Sequence, residues 1–199
     1  GERSLMWTDV YPLNEMDSGF RMNLMAGTYY VRLNPYWSAN HGSYYLVNTF
    51  IPALLANDQE PNDTYQQAKS LAMNSATTGR INYAYDNVYD TRDWYKVVMP
   101  GNGGLKITSN SIDNWDYYIN LVDQSGVTQI ASGNAYQYVP CEVFGWSLQG
   151  GETYYINVSS YYSYYGSYNL AVEYQPAPVP SFTTYQNLMN VLFTNTSQY

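Results

Sequence analysis

Gly150-Gly151-Glu152-Thr153-Tyr154-Tyr155-Ile156-Asn157-Val158 is the stretch on which the fold turns. Successive side chains of a strand point to opposite faces, so apolar residues at every second position mark a strand with one buried face. Tyr154, Ile156 and Val158 have that spacing, and the Gly-Gly pair ahead of them marks a turn. The same stretch occurs earlier in the chain. Gly27-Thr28-Tyr29-Tyr30-Val31 matches Glu152-Thr153-Tyr154-Tyr155-Ile156 at an offset of 125 residues. Gly42-Ser43-Tyr44-Tyr45-Leu46 matches Gly166-Ser167-Tyr168-Asn169-Leu170 at an offset of 124, and Phe50-Ile51-Pro52-Ala53 matches Tyr174-Gln175-Pro176-Ala177. One small insertion or deletion separates the matches. The chain therefore carries one and a half copies of a repeating unit. Residues 1–50 read as the back half of a copy and 51–56 as a linker. Residues 57–174 read as a complete copy, 175–180 as a stiff proline-rich linker, and 181–199 as an apolar tail.

Short period-2 runs recur through the complete copy: Leu105 with Ile107, Tyr117 with Ile119 and Leu121, Tyr168 with Leu170 and Val172. Pro100-Gly101-Asn102-Gly103-Gly104, Gln124-Ser125-Gly126 and Gln149-Gly150-Gly151 punctuate them. Many short strands separated by turns predict an all-β protein, an antiparallel sandwich. One or two helical turns are expected over 66–73. The tail is ambiguous: Tyr185, Leu188, Met189 and Leu192 have helical spacing, whereas Met189, Val191 and Phe193 have strand spacing.

Composition narrows the function. The 199 residues include 25 tyrosines, and only 12% are charged, against roughly 25% in an ordinary soluble domain. The net charge of −8 argues against a nucleic-acid partner, which needs a basic face. No apolar run reaches the roughly 20 residues of a membrane helix, so no membrane insertion is expected. The single cysteine, Cys141, excludes an intrachain disulfide and reads as a small buried hydrophobe. The single histidine, His41, reads as a turn residue. No nucleophile elbow, zinc-protease, P-loop or dinucleotide motif is present, and Asp113 with Asp116 read as solvated loop acids. Catalysis is not expected. Asn62, Asn157 and Asn195 each open a glycosylation sequon.

The acids are concentrated. Asp58, Glu60, Asp63, Asp86, Asp90 and Asp93 fall within 36 residues. Calcium takes six to eight oxygen ligands from carboxylates and carbonyls. Asp58, Glu60, Asn62 and Asp63 offer several from one extended segment, and Asp90-x-x-Asp93 offers two more from a turn. From spacing alone, a calcium site and a solvated acidic loop both remain open.

The order of these motifs resembles the bacterial pre-peptidase C-terminal domain, the group that includes the collagen-binding domains of clostridial collagenases. The resemblance is carried by Glu60-Pro61-Asn62-Asp63-Thr64, Asp90-Thr91-Arg92-Asp93-Trp94-Tyr95, Gly104-Leu105-Lys106-Ile107, the strand after Gly150-Gly151, and Gly166-Ser167-Tyr168-Asn169-Leu170. It implies an antiparallel jelly-roll-like β-sandwich, secreted and non-catalytic. It also implies calcium held by Asp58, Glu60, Asn62, Asp63, Asp90 and Asp93. The first of these is usually Glu in the collagen-binding branch, so the shorter Asp58 weakens that ligand. The partial copy lacks the acidic lead-in and should hold no equivalent site.

Two roles follow. The first is an extracellular or cell-surface structural or adhesive protein that self-assembles into a homo-oligomer or filament, the tail residues Tyr185, Leu188, Met189, Val191, Leu192 and Phe193 supplying a donor strand or helix. The alternative is a targeting appendage of a secreted hydrolase. It would grip an extracellular matrix protein such as collagen, or a polysaccharide, through the tyrosine-rich loops Tyr161, Tyr162, Tyr164, Tyr165 and Tyr36, Trp37.

Overall fold

The structure is a computed structural model that describes residues 24, 27–35, 43–52, 55–56, 58–81, 84–85, 88–112, 115–136, 139–160, 166–187 and 190–197. A 3-10 turn, Tyr65–Gln67, precedes β1 (Lys69–Ser70) and β2 (Ala76–Ile81). A small hairpin of β3 (Ala84–Tyr85) and β4 (Val88–Tyr89) leads into β5 (Arg92–Val98). Then come β6 (Gly103–Ser111), β7 (Tyr117–Val122), β8 (Gln129–Ala135), β9 (Cys141–Leu148), β10 (Thr153–Ser160) and β11 (Gly166–Pro176). A hairpin of β12 (Phe182–Asn187) and β13 (Asn190–Asn195) ends the described chain.

The strands from β1 to β11, the small hairpin aside, form two sheets of a β-sandwich. One has the order β1-β5-β10-β7-β8 and the other β2-β11-β6-β9. All pairings are antiparallel except β1 with β5. The front and back halves of the repeat interleave. β10 lies between β5 and β7, and β11 lies between β2 and β6. No strand from β8 to β11 pairs with another of that group.

The alternation read from the sequence sets the core. Tyr154, Ile156 and Val158 are buried, as are Leu105, Ile107, Tyr117, Ile119, Leu121, Tyr168, Leu170 and Val172. They join one apolar cluster between the sheets. Buried tyrosine and tryptophan need partners for their polar tips. The Tyr117 hydroxyl lies 2.7 Å from Ser109 Oγ, and Trp115 Nε1 donates to the Ser167 carbonyl at 3.0 Å. Cys141 is a buried free thiol whose Sγ would lie 2.6 Å from a Cβ at Gly133. The 124–126 turn is held by Asp123, whose Oδ1 accepts from the backbone N–H groups of Ser125 and Thr128 at 3.1 and 3.2 Å. It closes on Gly126 at φ +73°, a conformation that L side chains rarely adopt.

Four expectations need correction or refinement. The helical turns expected over 66–73 reduce to the 3-10 turn, because Leu71 N–H donates to the Lys96 carbonyl at 2.9 Å and the segment runs on as an edge strand. The linker expected from residue 175 begins at 177, because Gln175 and Pro176 still pair with Gly104 and Gly103. Beyond Ala171 the β2 side of that strand has no register partner, so the proline's missing N–H costs little there. The tail is a strand hairpin: Tyr185 pairs with Leu192 and Thr184 with Phe193. Tyr29, Val31, Tyr44 and Leu46, whose matched counterparts in the complete copy sit on strands, lie outside any strand and are exposed. Asn62 and Asn157 are buried, which leaves no room for a glycan on either. His41 and Asp113 lie outside the described residues.

Candidate metal centre

The lead-in, the turn before β5 and the first residues of β5 converge at one end of the sandwich. Trp94 N–H donates to the Asn62 carbonyl at 2.9 Å, which lays the lead-in along β5. Within β5, Asp93, Tyr95 and Val97 share the buried face. One carboxylate oxygen each from Asp58, Glu60 and Asp93 lie within 4.8 Å of one another. That spread is what a sphere of ~2.4 Å radius allows, the calcium–oxygen distance. Asn62 donates from its side-chain amide to Asp58, and its backbone N–H donates to Glu60 Oε2 at 3.1 Å. The amide's oxygen therefore stays free of these contacts.

Asn62, Asp90 and Asp93 are fully buried. Asn62 Oδ1, both carboxylate oxygens of Asp90 and Asp93 Oδ1 have no hydrogen-bond partner. An unpaired buried ion costs several kcal/mol, and buried oxygens normally face a donor. Burial and mutual repulsion therefore raise these carboxyls. Burial first, then the charges of Glu60 and Asp58, push the Asp90 carboxyl up to about 9, against an opposing side-chain contact with the Asp93 carboxyl and with a smaller push from Asp63. Asp93 is raised well above the carboxylate range, by burial first and then by Asp58 and Asp90. Asp58 is raised by burial against the opposing hydrogen bonds of Tyr95 and Asn62. Asp63 is half-buried and acts on Asp90 only as the last of its charged neighbours. An all-oxygen set holding both carboxylates and an amide oxygen suits a hard cation, and calcium before zinc.

Two tyrosines that spacing did not single out complete the centre. Tyr95 hydroxyl donates to Asp58 Oδ2 at 3.0 Å, and Tyr168, reaching from β11 in the opposite sheet, donates to Asp93. The two hydroxyl oxygens lie 2.7 Å apart. Burial, and next the Asp93 charge, hold both phenols well above their ordinary range, so they serve as neutral donors. Two phenolic protons serve three close contacts along Asp58–Tyr95–Tyr168–Asp93. The row is one proton short unless a carboxyl carries it. The signal for Tyr95 was its place two residues after Asp93 on one strand. For Tyr168, only the pairing of strands across the sandwich supplies it.

The tyrosine-rich loop residues Tyr161, Tyr162, Tyr164, Tyr165, Tyr36 and Trp37 lie outside the described residues, as do Leu188 and Met189 of the tail. Tyr185, Val191 and Leu192 are exposed on the terminal hairpin, to which Phe193 belongs by backbone pairing.

The class defined by this fold is a jelly-roll-like β-sandwich with an acidic cluster between its sheets. Among solved structures, the chain is similar to the pre-peptidase C-terminal domain of collagenase from Bacillus anthracis, at 20% identity and a TM-score of 0.46, over 58% of this chain and 100% of that one. It is also similar to the carbohydrate-binding module CBM36 in complex with calcium and xylotriose, at 16% identity and a TM-score of 0.34, over 50% of this chain and 88% of that one. No family model and no curated protein sequence matches.

Proposed function

We propose that this chain is a non-catalytic, secreted, calcium-binding β-sandwich protein with a structural or adhesive role. One observation carries the calcium reading: the buried oxygens of Asn62, Asp90 and Asp93 that face no donor. A divalent cation held by them together with Asp58 and Glu60 would offset the repulsion that raises these carboxyls. Calcium would supply charge neutralisation and a fixed joint between the lead-in and β5. The test is calorimetric titration of chelator-treated protein with calcium. One site is expected, and Asp93→Asn should weaken it by at least tenfold. Folded protein that takes up no calcium at millimolar concentration would remove the proposal.

The structural role is supported by the terminal hairpin, whose Phe182, Tyr185, Val191 and Leu192 are all exposed. An exposed two-stranded ribbon with apolar side chains invites association with a second copy. Sedimentation with calcium and then with chelator decides this. Regular assemblies are expected, and a monomer in both conditions would leave the second reading.

That reading is a targeting appendage that binds a matrix protein or polysaccharide. Phe144 and Trp146 favour it. Their rings are parallel within 5° with centroids 5.6 Å apart, and Trp146 is 64% exposed. The indole lies against Gly104, where a Cβ would sit 2.8 Å from Cε3. The result is a stacked pair of aromatic rings, partly exposed, on an edge strand.

A further inference from the structure

We infer that the segments 28–35 and 43–52 are an acceptor for one particular partner, a polypeptide segment of the kind formed by residues 57–125, the front half of the same repeat. Two observations meet here. The internal matches make the segment 28–35 the counterpart of β10 and the segment 43–52 the counterpart of β11. The sheet order then states what each requires. β10 is flanked by β5 and β7, and β11 by β2 and β6. The two never touch as ladder neighbours, and all four flanking strands come from the front half.

The described backbone agrees with that requirement. Both segments lie outside any strand. Val31 is 60% exposed where its counterpart Ile156 is 0%, and Leu46 is 53% exposed where Leu170 is 0%. The pattern of a buried face is present, and among the described residues no strand covers it.

Other occupants meet the requirement less well. The front half of a second copy already holds its own β10 and β11. The terminal hairpin offers two strands that neighbour each other in one sheet. The vacancies lie on both sides of two strands in two sheets. The match also specifies the partner's chemistry. Tyr44 is the counterpart of Tyr168, whose hydroxyl donates to Asp93 across the sandwich. The partner segment should therefore carry an Asp at the start of its β5 counterpart, with a Tyr two residues on.

Hydrogen exchange read by mass spectrometry tests this. The full chain is compared with the same chain carrying an added copy of residues 57–125 ahead of Gly1. A third chain carries a scrambled version of that addition. Amides of 28–35 and 43–52 should slow about a hundredfold or more in the first extended chain only. Unchanged fast exchange there would overturn the proposal, as would equal slowing with the scrambled addition. Slowing in the unextended chain as its concentration rises would assign the acceptor to a second copy instead. Val31→Asp with Leu46→Asp should leave the melting temperature of the unextended chain unchanged and abolish the slowing in the extended one. A fall in that melting temperature would show that these residues are already packed, and would equally overturn the proposal.

Discussion

At the scale of single residues, the acids follow an unusual sign. Asp58, Asp90 and Asp93 all have carboxyls raised in the folded state, Asp90 to about 9. A raised folded pKa contributes stability that is present below the unfolded value, near 3.8, and is lost as pH rises through the folded value. In chelator, the melting temperature should therefore fall between about pH 4 and pH 9, which thermal scans across that range would show. A melting temperature that rises over that window would contradict the charge arrangement. Calcium should reverse the trend, because the cation stabilises the ionised carboxylates. Its binding should release protons, read from titration heats in buffers of different ionisation enthalpy, and its affinity should rise with pH. Tyr168→Phe removes the donor to Asp93 without removing a carboxylate. It should lower calcium affinity by roughly 10–100-fold, the range typical of groups that orient metal ligands. The carboxylates were legible in the sequence because they cluster. The tyrosines were not, because Tyr95 and Tyr168 are 73 positions apart and meet only after the sheets pack.

At the scale of elements, alternation placed the buried faces of β6, β7, β10 and β11. Leu105, Ile107, Ile119, Leu121, Ile156 and Leu170 are all wholly buried. Periodicity says which face is apolar and nothing about which strand lies alongside, so the interleaved order had to come from the structure. The lead-in shows a different failure. The residues from Gln66 to Met73 have no strong strand pattern, and their conformation is imposed by the open edge of β5. The tail was undecided by pattern, and pairing across its turn made it a hairpin. Gly166 illustrates how closely the elements meet: a Cβ there would lie 2.1 Å from Trp115 Cδ1. Gly166→Val should destabilise the sandwich by about 3 kcal/mol, measured by denaturant unfolding, since overpacking a core displaces buried rings. Ile156→Ala should cost about 2–5 kcal/mol by the opposite route, a cavity at the centre of the sheet.

At the scale of the whole molecule, the complete repeat packs as one sandwich, and apolar residues of 28–35, 43–52 and the terminal hairpin stay exposed outside its core. Calcium at a hundred times its dissociation constant should stabilise the folded state by about 2.7 kcal/mol. Scanning calorimetry with calcium and with chelator would read that difference in the sandwich transition. Leu192→Lys on the hairpin should shift the sedimentation profile towards monomer and leave that transition in place. A profile that keeps the same assemblies would exclude the hairpin from the contact.

The chain enters the sandwich beside Asp58, whose Oδ1 accepts from Arg80 N–H at 3.4 Å, near the start of β11. It leaves at Pro176, the last residue of that strand. Eleven residues of β-strand span about 35 Å, so the two attachment points lie at opposite ends. Tension along the polypeptide would load the domain lengthwise, in shear, and would reach the carboxylates before the core. The cation would then act as a rivet, raising the force at which the domain gives way. Pulling single molecules with and without calcium should show that difference.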